Sequence, residues 1–145
     1  MSNGSIGHGT TLGYSTVAGG PYTDFAEVVS VKEGAQAADK VDFTHLTSAS
    51  RRKEFKLGMI DSGEWQFTLN TLYAAERTAM RTAHSSGATY YWRCREYDTS
   101  ATPATLLATL TFAGPVMNFD DGTREASTPK RTTLTIAVTG TITEV

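Results

Sequence analysis

Arg131-Thr-Thr-Leu-Thr-Ile-Ala-Val-Thr-Gly-Thr-Ile-Thr143 is the stretch that decides the fold. Leu134, Ile136, Val138 and Ile142 fall in one phase of a two-residue period. Thr133, Thr135, Thr139, Thr141 and Thr143 fall in the other. Such alternation marks a strand with one buried face, and an unbroken run of this length would extend roughly 43 Å at about 3.3 Å per residue. The threonine face carries no charge. A wet strand face normally mixes charges, so this one suits packing against another subunit, or lining a space that should not stick. The plain β-propensity of threonine is the competing explanation.

Working outward, the same period recurs. Leu106, Ala108, Leu110 and Phe112 alternate with Thr105, Thr109 and Thr111, until Pro115 breaks the ladder and is expected to make Met117 and Phe119 the next apolar pair. Asp121-Gly122 reads as a turn. Tyr90, Trp92 and Cys94 share one strand face, and Thr89, Tyr91, Arg93 and Arg95 the other. Trp65, Phe67 and Leu69 alternate after Gly63. Further strands are expected over Thr10–Thr16, Asp24–Lys32 and around Val41, Phe43 and His45. One helix is expected: Asn70 or Thr71 caps it, Leu72, Ala75, Ala79 and Ala83 with Met80 form its apolar stripe, and Gly87 ends it. The expected fold is mainly β: a sandwich or partly open barrel of about seven or eight strands with one flanking helix.

The 145 residues suit a single domain over 1–145. Residues 1–21 read as a flexible, glycine-rich arm around the first strand, and residues 47–62 as a long polar loop. Thirteen Lys and Arg against fifteen Asp and Glu give a net charge of -2, which disfavours a dedicated nucleic-acid binder. No apolar run reaches the length of a membrane helix, and the N-terminus has no signal-peptide pattern.

No catalytic constellation emerges. Cys94 with His84 as base is a formal nucleophile pair, but Cys94 shares the phase of Tyr90 and Trp92 and reads as a core thiol. His8, His45 and His84 lack metal-ligand spacing. Asp120-Asp121-Gly122 reads as a turn rather than a cation loop. Neither an enzyme, a metal site nor a cofactor is expected. The densest basic cluster, Arg51, Arg52, Lys53 and Lys56 with Glu54 among them, reads as a subunit contact or a plain solvated loop in preference to a nucleic-acid site.

The order of these segments resembles the tail tube proteins (major tail proteins) of long, non-contractile-tailed bacteriophages. The resemblance runs through Phe25-Ala-Glu-Val-Val-Ser-Val31 and Lys40-Val-Asp-Phe-Thr-His-Leu-Thr-Ser48, similar to an Asp-x-Thr-x-Leu pattern. It continues through Phe55-Lys-Leu-Gly-Met-Ile-Asp-Ser-Gly-Glu-Trp-Gln-Phe67, a single helix and Val138-Thr-Gly-Thr-Ile142. It implies a structural virion protein of the tail, made in the host cytoplasm. Its hexameric rings stack into the tube that conducts the genome, with inner sheets joined as a continuous barrel. It implies as partners other copies, tip and terminator proteins, with DNA passing unheld and no membrane. Arg51, Arg52, Lys53, Glu54 and Lys56 would then serve ring stacking, and Thr133, Thr135, Thr139 and Thr141 are candidates for the lumen. Two alternatives stand beside it: the inner tube of a contractile tail or type VI secretion system, and a small-ligand or glycan-binding β-sandwich using Tyr90, Tyr91 and Trp92.

Overall fold

The computed structural model describes residues 9–25, 27–47, 50, 52–70, 74–100 and 103–145. Among them are eleven strands and one helix. A five-stranded sheet has the order β11-β8-β7-β1-β2. It contains β1 (Thr11–Ser15), β2 (Thr23–Asp24), β7 (Tyr90–Asp98), β8 (Thr105–Gly114) and β11 (Thr139–Glu144). A four-stranded sheet has the order β3-β6-β10-β9. Its members are β3 (Val28–Lys32), β6 (Glu64–Asn70), β9 (Val116–Asp120) and β10 (Arg131–Ala137). All pairings are antiparallel. A third sheet is the separate pair β4 (Ala37–Asp42) and β5 (Phe55–Asp61).

The apolar phases meet between the two larger sheets. Trp65, Phe67 and Leu69 of β6 and Leu134 and Ile136 of β10 face Leu12, Trp92, Cys94, Leu110 and Phe112 of the other sheet, all buried in one core. Trp65 stacks on Phe112 with ring centroids 4.5 Å apart. The Trp92 indole N–H, buried with its ring, donates to the Gly114 carbonyl at 3.0 Å.

The expected closing strand is two strands. The chain leaves the four-stranded sheet after Ala137 and joins the five-stranded sheet at Thr139. Val138 donates to the Gly63 carbonyl at the corner, and Gly140 follows at φ +80°. β8 and β9 change sheets in the same place, on either side of Pro115, so the two bent strand pairs run beside each other around one corner. The alternation continues through the bend because both sheets enclose the same core. The expected strand over Asp24–Lys32 divides likewise, into β2 and β3 of different sheets, with Phe25 buried at the crossing.

Three further expectations change. Val116, not Met117, becomes the buried residue after Pro115, because the β9–β10 register shifts by a bulge there; Met117 is exposed and Phe119 partly buried. Asp121-Gly122 opens a connection of ten residues rather than a tight hairpin. The stretch 47–62 is not loop throughout, since Phe55–Asp61 is strand β5; its alternating Phe55, Leu57 and Met59 are apolar, and one edge of its backbone pairs with β4.

Helix α1 (Ala74–Ser86) packs on β9. Met80 and Ala83 are fully buried and Ala79 partly so, while Ala75 is exposed. Gly87, at φ +65°, ends it with an N–H bond to the Ala83 carbonyl. Thr71 and Leu72 lie outside the described residues, as does His8.

Candidate assembly surfaces

The β4–β5 pair is an arm. Its strands pack mainly on each other, and Val41, Phe43, Leu46, Phe55, Leu57, Met59 and Ile60 are all exposed. Two cation–π contacts brace it: Lys40 Nζ lies 3.6 Å from the Phe55 ring centroid and Lys56 Nζ 5.0 Å from that of Phe43. At the far end the Phe43 N–H donates to the Glu54 carbonyl, the Glu54 N–H to the Thr44 hydroxyl, and His45 Nε2 lies 3.3 Å from Glu54 Oε2. An isolated two-stranded hairpin is marginal in water, and a patch of this many exposed apolar side chains marks a contact surface.

The expected stacking cluster therefore divides. Arg51 lies outside the described residues. Arg52, Lys53 and Glu54 are exposed in the connection that leads into β5. Lys56 is on β5 itself, opposite Val41, and braces the arm. The apolar residues of β5 were visible in the sequence, but the basic run ahead of them set the reading as a polar loop.

The four threonines nominated for a lumen also divide between two sheets. Thr133 and Thr135 are on β10, in the middle of the four-stranded sheet, opposite Thr68 and Gln66 of β6 and Asp120 and Asn118 of β9. Thr135 is buried beneath a shallow cavity of about 170 Å³ lined by Lys32, Glu64 and Gln66. Thr139 and Thr141 are exposed on β11, at the edge of the five-stranded sheet. Thr109 and Thr111, on the same sheet, pair with Arg95 and Arg93. Arg93 bonds Asp24 at 3.2 Å and lies over the Tyr22 ring, so that outer face is not neutral. The outer face of the four-stranded sheet carries Gln66, Thr68, Thr133 and Thr135 through its middle, with Glu64 and Arg131 at opposite ends of the two central strands, Lys32 at the β3 edge and Asp120 at the β9 edge.

Asp121 holds the β9–β10 connection to the helix. Its carboxylate accepts bonds from Lys130 Nζ at 2.9 Å, Arg81 at 3.3 Å and the Thr132 hydroxyl at 3.2 Å, with Arg124 and Arg77 within 4 Å. Partial burial, the largest single influence, pushes its pKa up. The Lys130 bond and charge, the Thr132 bond and the Arg77 charge together outweigh it, and the net direction is down. A carboxylate with a depressed native pKa contributes stability above the unfolded pKa of about 3.9, and the contribution is lost as pH falls through the native value. Asp121→Asn is expected to cost about 1–3 kcal/mol at pH 7. Melting curves from pH 7 to pH 2.5 test this: the gap between wild type and variant closes only below about pH 4.

The candidate nucleophile pair does not come together. Cys94 is buried between Leu12 and Leu110, and burial, followed by the charges of Glu96 and Glu33, pushes its thiol up to about 12. His84, on α1, gives its Nδ1–H to the Val116 carbonyl at 3.2 Å. Among the described residues no three His, Cys, Asp or Glu side chains are placed to share a metal ion. Tyr90, Tyr91 and Trp92 do not make one platform for a glycan: Trp92 is fully buried, Tyr90 packs against it at 6.4 Å between centroids, and Tyr91 falls in the opposite phase of β7.

Comparison with known proteins agrees with a structural role. No curated protein matches the chain in sequence. Solved structures match over nearly its full length. A chain of the tail of empty gene transfer agent particles, refined with C6 symmetry, has 12% identity and a TM-score of 0.71, covering 97% of this chain and 98% of that one. A chain from the sheath/tube terminator of an extracellular contractile injection system has 9% identity and a TM-score of 0.72, covering 99% and 98%. A chain of the anti-feeding prophage baseplate has 10% identity and a TM-score of 0.71, covering 100% and 97%. Residues 7–103 match the family model described as lambda phage tail tube protein. The chain belongs to the lambda phage tail tube protein family, a structural, non-enzymatic component of the virion tail.

Proposed function

We propose that six copies form a ring and that rings stack head to tail into the tube of a long, non-contractile tail, which conducts DNA to the host. The observation that carries this reading is the β4–β5 arm, which exposes Leu57, Met59 and Ile60 beyond the core and needs a neighbour to cover them. Stacking uses that arm, with Arg52, Lys53 and Glu54 at its end meeting charges of the adjacent ring. A heterologous contact of this kind propagates without closing, as a filament requires. Tip and terminator proteins would cap its two ends.

The outer face of the four-stranded sheet supplies the lumen, with Thr133 and Thr135 near its centre. DNA must slide past, and each Lys or Arg that neutralises a phosphate adds salt-dependent affinity. The uncharged centre of this face, Gln66, Thr68, Thr133 and Thr135, suits passage better than a face with Arg93 and Arg95 on its central strand. Six such sheets, at about 4.8 Å per strand and a tilt of about 40°, close a backbone ring roughly 48 Å across. That leaves room for duplex DNA inside the side chains.

Placing Lys at Gln66 and Thr133 tests the assignment. Tubes should form as in wild type, because the charges stay wet, and DNA delivery should fall roughly tenfold or more. Lys at Thr139 and Thr141, on the other sheet, should leave delivery unchanged. Loss of tubes with the first pair would make that face an interface instead. The likeness to contractile injection system chains favours a second reading, the inner tube of a contractile tail. A tube that assembles only with a sheath protein present would decide for it.

A further inference from the structure

The four-stranded sheet ends in two edges whose side chains are complementary. β3 carries Val31 inward and Ser30 and Lys32 outward, opposite Phe67, Thr68 and Gln66. β9 carries Phe119 inward and Asp120 outward, opposite Leu134 and Thr133. Lys32 and Asp120 are both exposed, and at the edges so are Val29 and Met117, at 40% and 46%. Exposed edges invite pairing, and here each edge carries one charge, of opposite sign to the other.

We propose that β9 of one subunit pairs antiparallel with β3 of the next in the register Phe119 to Val31, with Asp120 of one subunit held by Lys32 of its neighbour. This rests on the ring reading above and specifies its joint. The direction follows from topology. Three successive antiparallel pairings, β3 with β6, β6 with β10 and β10 with β9, leave β3 and β9 antiparallel. Rotation about a ring axis preserves strand direction, so the joint is antiparallel as well.

The register follows from the side chains. A slip of one residue would turn an apolar side chain of one edge toward the polar face of the other. A slip of two residues one way sets Phe119 against Glu33 of the neighbouring subunit, placing a carboxylate on the core side. A slip of two the other way brings Asp120 and Asp121 up to Val28 and Glu27 of the neighbouring subunit, acid against acid. The remaining register pairs Phe119 with Val31, Asp120 with Ser30 and Asn118 with Lys32. Lys32 then lies diagonal to Asp120, within reach of a long side chain. The two edge charges cancel at each joint, and with Glu64 and Arg131 of opposite sign on the central strands the face carries no net charge around the ring.

Charge exchange and a cross-link test this together. Lys32→Glu and Asp120→Lys should each raise the protein concentration needed for assembly about fivefold or more, because attraction becomes repulsion at every joint. The double variant should return it close to wild type. Separately, Asn118→Cys with Lys32→Cys should give a ladder of disulfide-linked subunits on oxidation of assembled tubes, since directly opposed Cα atoms in an antiparallel pair lie about 4.5–5.5 Å apart. Wild-type tubes with single variants that assemble normally, or with no ladder, would overturn the joint and leave the ring reading standing. A wild-type protein that stays monomeric, with tip proteins present, would overturn both.

Discussion

Replacing Leu57 and Met59 together with Asp should abolish tube formation and leave the subunit folded. Both side chains are exposed, at 76% and 84%, on an arm that adds nothing to the central core. Substitutions at such positions usually change stability by less than about 0.5 kcal/mol, so melting temperature and circular dichroism should match wild type. In a stacked tube the same side chains are covered, and burying one is worth about 1.5–3 kcal/mol. Two per arm correspond to a factor of roughly a hundred or more in affinity per contact, repeated at every subunit of the ring. Sedimentation should therefore show only small species at concentrations where wild type is polymeric. Tubes at wild-type concentrations would place the stacking contact elsewhere.

The second large effect lies in the core. Phe67 is fully buried, with ring centroids 6.2 Å from Trp65, 5.8 Å from Trp92 and 6.4 Å from Phe112, so it joins both sheets. Phe67→Ala is expected to cost about 3–5 kcal/mol, from lost burial and the cavity left behind. For a domain of this size that lowers the melting temperature by roughly 10–20 °C. Phe43→Ala, on the arm, should cost less than about 1 kcal/mol, since Phe43 is half exposed, lies outside the core and gives up a long cation–π contact with Lys56. Calorimetry of both variants tests whether the core and the arm are energetically separate. An equal loss in the two would contradict that division.

What could be read in the sequence was the inward phase. Trp65, Phe67, Leu69, Leu134 and Ile136 were recognisable as core because a strand's period of two is set by its own backbone. The helix stop at Gly87 and the buried thiol of Cys94 were visible for similarly local reasons. The corners were not. Phe25 and Val138 continue the alternation of the strands around them, yet each marks a change of sheet, and only the packing of the two sheets on a common core reveals it. The bulge that buries Val116 in place of Met117 depends on the β10 register across from it, which no local pattern encodes. The arm was hidden differently. Phe55, Leu57 and Met59 had the strand period, but they follow a run of cations and have no core within the described chain to face.

The lumen nominees show the same limit. Thr133 and Thr139 belong to one alternating phase, and the bend at Val138 sends them to different sheets. Charge then separates the two faces: Arg93 and Arg95 lie across from Thr111 and Thr109 only because β7 and β8 pair in that register.

The central claim is that this subunit builds a tube from its own copies, and electron microscopy of the purified protein over a range of concentrations tests it most directly. The account predicts stacked six-membered rings with the β4–β5 arm reaching from each ring to the next. Monomers at every concentration, with tail-tip components added as nuclei, would contradict it.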